Sequence, residues 1–225
     1  MTLAGGASRG RFITFEGGEG AGKSTQLRHL AERLKQRGVD AVSTREPGGS
    51  PHAETLREVL LSGRAKPLGP LGEAVLFSAA RIDHIDTLIA PALGGGAFVL
   101  CDRFADSTRA YQGALGHVDA PIIDVLEAIA LRGLRPDLTL LLDLPPQEGM
   151  ARAEKRRAAG AAPDRFEGEG AAFHEGLRKA FLDIAASEPN RCCVIDATLP
   201  EAEVAAAIWE LVEARFLSAP AEPHG

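Results

Sequence analysis

Five short apolar runs punctuate the chain, and between them apolar residues recur every three or four positions. The runs are RFITFEG from Arg11, DAVSTRE from Asp40, AFVLCD from Ala97, DLTLLLDL from Asp137 and RCCVIDA from Arg191. Their length and apolarity predict buried strands. The stretch 24–37 carries Leu27, Leu30, Ala31 and Leu34 at helical spacing and meets a C-capping glycine at Gly38. Helices are also predicted over 53–62, 70–90, 121–132, 171–187 and 200–217. Strands alternating with helices imply an α/β fold, a parallel sheet covered on both faces that binds ligands at the carboxyl ends of its strands. There is no internal repeat and no linker, so 1–225 reads as one domain. Residues 152–170, RAEKRRAAGAAPDRFEGEG, stand apart as a charged, Gly- and Ala-rich flap interrupted by Pro163. The leader 1–10 and the tail 218–225 are expected to be disordered.

Composition narrows the partners. At 225 residues the chain is long enough for a full core, and its 45% apolar and 25% charged residues are ordinary for a globular protein. A net charge of −6 argues against a nucleic-acid polymer as partner, which would favour a basic face. Small phosphorylated ligands need only a local basic site. The cysteines Cys101, Cys192 and Cys193 sit in apolar runs and read as reduced and buried. No stretch approaches the ~20 apolar residues of a membrane span, and the first ten residues lack the apolar segment of a signal peptide. The expectation is a cytoplasmic protein with no membrane partner.

Directly after the first predicted strand comes EGGEGAGKST, with G-x-x-x-x-G-K-[ST] spacing from Gly17 to Ser24. Gly17, Gly18, Gly20, Ala21 and Gly22 let the backbone curl so that successive N–H groups face one anion, and the next helix adds its positive end. Lys23 is expected to reach the β- and γ-phosphates and Ser24 to ligate Mg²⁺, with Thr25 beside it. Strand before and helix after give the motif its proper context, so a nucleoside triphosphate is the predicted ligand. A GTPase switch needs an Asn-Lys-x-Asp type reader, but the sole asparagine is Asn190, followed by Arg191. A hydrolytic ATPase usually sets a glutamate beside the strand-end aspartate; here Asp102 is followed by Arg103. An arginine there binds anions, which suggests a second phosphate-bearing substrate.

Three further stretches, TREPGGS (44–50), LFSAARIDH (76–84) and DRFADSTRAYQG (102–113), followed by DRFE (164–167), resemble bacterial thymidylate kinases in order and separation. The resemblance spans about Arg11 to Phe216. It implies a P-loop kinase three-layer fold: a five-stranded parallel sheet flanked by helices, an acceptor-binding region over about 46–92, and a mobile lid over 152–170. It also implies ATP and dTMP as substrates, Mg²⁺ as cofactor, transfer of the γ-phosphoryl to give dTDP, and a homodimer. Phe77 and Arg81 lie four apart on one helix face; the family reading stacks thymine on Phe77 and lets Arg81 donate to O4, where cytosine would present a donor instead. Taken alone, Phe77 would read as core and Arg81 as solvated surface. Arg103 and Arg57 are implied acceptor-phosphate ligands, since a guanidinium fork matches phosphate oxygens. Asp102 is expected to hold Mg²⁺, Thr108 and Gln112 to contact the base edge with Ser107 beside them, and Tyr111 to lie under the sugar. Phe104 stands where relatives often carry Tyr or His, and Arg109 falls at a variable position.

Glu19, an acid inside an anion cradle, is explained by the same resemblance: it points across the cleft and accepts from the sugar 3′-hydroxyl. Glu46 points at the same region and shapes the acceptor or metal site. Some relatives carry an arginine where this chain has Gly20. The missing charge is expected from the flap, where Arg152, Arg156 and Arg157 cluster. Two alternatives remain on the residues alone: another nucleotide or deoxynucleoside kinase, and a protein that binds nucleotide as a regulatory ligand.

Overall fold

The computed structural model describes residues 9–158, 166 and 169–218, without the side chains of 156–158. Residues 1–8 of the expected leader, the tail from 219, most of the distal lid and the Arg156 and Arg157 side chains lie outside the described residues; Gly10 and Ser218, expected to be disordered, are instead held by backbone bonds to the Leu93 carbonyl (2.9 Å) and the Glu213 carbonyl (2.8 Å).

All five predicted strands form: β1 Phe12–Glu16, β2 Ala41–Arg45, β3 Phe98–Asp102, β4 Leu138–Asp143 and β5 Cys192–Asp196, but β2 and β5, expected to be buried, lie at the sheet edges and are only partly buried. They make one parallel sheet in the order β2-β3-β1-β4-β5. The central β1 is buried along its whole length, which is why its sequence does not alternate apolar with solvent-facing polar residues; even Thr14 and Glu16 are enclosed. Its side chains go to opposite faces. Ile13 and Phe15 join Leu27, Leu30 and Leu34 of α1 (Lys23–Gln36) and Val204, Ile208 and Trp209 of α9 (Glu201–Val212). Phe12 faces the other layer, with Ile85, Ile89, Leu93, Val99 and Phe104. Its ring meets that of Phe104 edge-on, centroids 4.8 Å apart, so the phenylalanine at 104 is a core residue.

The helices depart from expectation in four places. The predicted helix 70–90 is α3 (Gly69–His84), a π-helical turn over Ile85–Ile89, and α4 (Ala90–Gly94). The segment after β3, read only as a motif, is itself helical: α5 (Ala105–Thr108) running into a π-helical stretch Arg109–Leu115. Such wide turns recur at functional sites. The lid base begins earlier than the charge pattern suggested, as α7 (Pro146–Ala158). The last helix ends in a π-helical turn over Glu213–Leu217. The remaining helices, α2 (Pro51–Leu61), α6 (Ala120–Leu131) and α8 (Ala171–Ser187), fall close to where periodicity put them. All three cysteines are free; Cys101 and Cys192 are buried, while Cys193 is only half-buried.

Candidate active site

Phe15 pairs with Asp102, so the carboxyl ends of β1 and β3 lie level and the two loops that leave them open side by side. In the β1 loop, Gly17, Gly20 and Gly22 have φ of +136°, +68° and +91°. That curl starts α1 at Lys23, with the free N–H groups of its first turn at the loop's mouth. The Lys23 ammonium, 8% exposed, donates to the carbonyls of Gly17 (3.1 Å) and Gly18 (2.9 Å). Burial, with Arg103 nearby, lowers its pKa from the ordinary lysine value. The Ser24 hydroxyl donates to the Asp102 carboxylate.

Gly20 has a second constraint. A Cβ there would lie 2.1 Å from the Gly149 carbonyl oxygen of α7, and one at Gly149 would lie 2.3 Å from the Glu19 carbonyl oxygen. The cradle rests backbone-to-backbone on the lid-bearing helix. An arginine at position 20 could not be seated without displacing α7, which accounts for its absence.

A cavity of 580 Å³ opens at the mouth of the loop, within the ~300–1,000 Å³ usual for small-molecule sites. Glu19, Lys23, Ser24, Glu46, Arg57, Phe77, Arg81, Asp102, Arg103, Ser107, Thr108, Tyr111 and Gln112 all line it. On α3, Phe77 is half-buried in its wall and Arg81 is 3% exposed. Arg81 Nε donates to Glu46 (2.7 Å), and its NH2 donates to the Phe104 carbonyl and the Thr108 hydroxyl, both at 3.2 Å. The other Glu46 oxygen meets His84 Nδ1 at 3.1 Å, so Glu46 anchors Arg81 from behind. One turn before Phe77, the buried Glu73 accepts from the Gln112 side-chain amide at 3.4 Å. A carboxylate can only accept, so the Gln112 nitrogen is turned toward Glu73.

Arg103 has φ +69°, rare for a residue with a Cβ. Its NH2 donates to Glu19 Oε1 at 2.6 Å, and its NH1 to the Gly17 carbonyl (3.2 Å) and the Ser107 hydroxyl (3.3 Å). Burial alone would lower its pKa, but Tyr111, Glu19, Glu16 and Asp102 outweigh that and raise it. The guanidinium carbon sits 5.3 Å over the Tyr111 ring, and Tyr111 Oη donates to Glu19 Oε1 at 3.4 Å. Glu19 is thus turned toward the Arg103 side of the cleft. Arg57, on α2, donates to the Pro47 carbonyl at 2.6 Å.

Sequence reasoning missed three things. Glu16, an acid ending an otherwise apolar strand, lies beneath the Arg103 loop; a charge in FITFE was the available signal. Glu73 precedes Phe77 by four residues, the spacing that already linked Phe77 to Arg81. A second cavity, 530 Å³, lies on the other side of the cradle between Gly20–Gly22, Thr25 and the loop 197–201. Arg152, grouped by sequence with the transfer-site arginines, instead lines this cavity and donates to the Ala197 carbonyl at 3.2 Å.

A parallel α/β sheet with a phosphate loop on its central strand, and two cavities meeting at that loop, defines a P-loop nucleotide kinase. Comparison with known proteins narrows the class. The family model described as thymidylate kinase matches residues 15–208, and the chain belongs to that family. It is similar to a thymidylate kinase of Bradyrhizobium diazoefficiens, 55% identical over 96% of this chain and 94% of the relative. A thymidylate kinase of Nitrobacter hamburgensis is 57% identical over 95% and 93%. Among solved structures, the crystal structure of thymidylate kinase from Ehrlichia chaffeensis superposes with a TM-score of 0.72 at 34% identity, covering 91% of this chain and 99% of that one.

Proposed function

We infer that the protein is an ATP-dependent dTMP kinase, which transfers the γ-phosphoryl of ATP to dTMP and so makes dTDP, the precursor of dTTP. Membership of the thymidylate kinase family supports the reaction. The observation that carries the assignment of sites is the convergence of stacking, base-edge and guanidinium groups in one cavity at the mouth of the phosphate loop.

We assign dTMP to the 580 Å³ cavity. Thymine stacks on Phe77 while Arg81 donates to O4. With its nitrogen held by Glu73, Gln112 offers its oxygen to N3–H, and Thr108 lies beside it. Cytosine inverts both groups and would set donor against donor and acceptor against acceptor, a mismatch that a buried polar site rejects strongly. Tyr111 lies under the sugar, Glu19 accepts from the 3′-hydroxyl, and Arg103 and Arg57 grip the phosphate. The adenine of ATP belongs in the second cavity, where the planar Arg152 guanidinium can stack on it. Its phosphates lie in the loop, and Lys23 exchanges the carbonyls of Gly17 and Gly18 for phosphate oxygens.

The acceptor is a phosphomonoester with a second pKa of about 6, already largely deprotonated at neutral pH, so no general base is required. Catalysis consists of alignment and charge stabilisation by Lys23, Arg103 and the lid residues Arg156 and Arg157. Ser24 and Asp102 bring a hydroxyl and a carboxylate together, hard oxygens that fit Mg²⁺, which keeps waters and phosphate oxygens as its other ligands. Bound there, the ion would neutralise phosphate charge.

We further propose a homodimer. Leu68, Leu71 and Val75 on and before α3, and Ile122, Val125 and Ile129 on the adjoining α6, are all at least 40% exposed. A contiguous apolar face of this kind calls for a partner. No helix among the described residues is long and apolar enough to cross a membrane; with two soluble nucleotides as substrates, we assign the reaction to the cytoplasm.

Arg81→Ala tests the acceptor assignment. In separate titrations dTMP affinity should fall by about tenfold to a hundredfold, the scale of a lost hydrogen bond from a charged group, with ATP affinity unchanged. Equal losses for both ligands would contradict it.

A further inference from the structure

Glu16 has no part in the reaction as assigned, yet at 1% exposure it is the most enclosed carboxylate among the described residues. It ends β1, one residue before the phosphate loop. A buried acid must be compensated, and this one is compensated entirely from the loop after β3. Oε1 accepts the N–H of Phe104 (2.7 Å) and of Ser107 (3.3 Å), and Oε2 accepts the Ser107 hydroxyl proton (2.7 Å). Ser107 Oγ in turn accepts from Arg103 NH1 at 3.3 Å. Burial first, and the Asp106 carboxylate second, push the Glu16 carboxyl up to about 7. An apolar residue here would escape that penalty.

The bonds identify what the acid does. Arg103 is held at φ +69°, a conformation that persists only where the surroundings enforce it. Glu16 takes the N–H of the very next residue. Through Ser107 it also reaches the guanidinium itself. One side chain therefore ties the start of the donor loop to both the backbone and the fork of Arg103.

We propose that Glu16 is a positioning residue that locks the Arg103 fork through Phe104 N–H and the Ser107 hydroxyl, and so holds the acceptor phosphate in register with the donor loop. This rests on the reading of Arg103 as a ligand of the acceptor phosphate.

The test compares dTMP with thymidine, which shares the base and sugar but lacks the phosphate. Glu16→Gln is isosteric but uncharged, and its amide nitrogen donates where Glu16 accepts the Ser107 hydroxyl proton, which reverses that link of the relay. It should weaken dTMP binding by about tenfold, the scale of a hydrogen bond to a charged group, and leave thymidine and ATP affinities within twofold. Ser107→Ala removes only a hydroxyl, so folding is not at stake; it should act in the same direction. The double variant should be no worse than the Glu16 variant alone, because both changes cut one chain of bonds. Equal losses for dTMP and thymidine would reduce Glu16 to a general support of the helix, and full additivity would remove Ser107 as the relay. Either result overturns the proposal. Arg103→Ala in the same titrations separates the two readings: if it leaves dTMP affinity intact, the assignment of Arg103 fails, irrespective of Glu16.

Discussion

Glu19 stands in a loop built for anions, and its surroundings explain how it is tolerated. Its side chain is 9% exposed and lies 2.6 Å from Arg103 NH2, with Tyr111 Oη at 3.4 Å, on the acceptor side of the cleft. On the proposed reading the loop's backbone N–H groups face the phosphates of ATP, while the Glu19 carboxylate is engaged by Arg103 and Tyr111. Glu19→Gln keeps the shape and one acceptor oxygen but loses the charge. We predict about a tenfold loss in kcat/KM for dTMP with ATP affinity little changed, the scale of a charged hydrogen bond. Because Glu19 also braces Arg103, the substrate lacking the 3′-hydroxyl supplies the decisive arm. The two penalties should overlap in a double cycle; full additivity would mean that Glu19 never touches the hydroxyl.

At the scale of elements, strand positions were legible in the sequence because a central parallel strand is buried on both faces and so is predominantly apolar. FITFE and LTLLLD leave no other reading. The helix carrying Ser107, Thr108, Tyr111 and Gln112 was not legible. DSTRAYQG has no apolar period, since four of its residues face the cavity and its turns are wide. The candidate site was largely legible, because Phe77, Arg81 and Arg103 sit in motifs. Glu16 and Glu73 were missed because they act through other side chains. The Gly20–Gly149 contact joins residues 129 positions apart, which no local pattern reveals. The exposed stripe of α6 yields a test of the proposed dimer. Val125 is 58% exposed, with Ile122 three residues before it and Ile129 four after, on one face. In sedimentation equilibrium the wild-type protein should show twice the chain mass of 23.7 kDa. Val125→Glu, which places charge on that face, should show 23.7 kDa alone. A wild-type monomer, or a dimer that survives the substitution, would contradict the assignment.

Across the whole molecule, the proposed sites would set two nucleotides end to end, one on each side of the phosphate loop. β1 delivers the phosphate loop at the centre of the sheet, and β3, paired beside it, delivers Asp102 and Arg103 at the same level. α3 brings Phe77 and Arg81 over one side of the loop, while the 197–201 segment and Arg152 close the other. The base of the lid touches the cradle itself, since Gly149 of α7 leaves no room for a side chain at Gly20. If ATP binds at the loop as proposed, donor binding and lid position share one contact, as suits a reaction that must exclude water before transfer. The proposal at the centre of this reading is that the 580 Å³ cavity lined by Phe77, Arg81 and Arg103 admits dTMP as phosphoryl acceptor. It is tested most directly by measuring ADP release with ATP, Mg²⁺ and each of dTMP, dUMP, dCMP, dAMP and dGMP in turn. The account predicts sustained turnover with dTMP, dCMP lower by orders of magnitude in kcat/KM, and next to no release without an acceptor. Turnover with dCMP equal to that with dTMP, or release indifferent to any monophosphate, would contradict it.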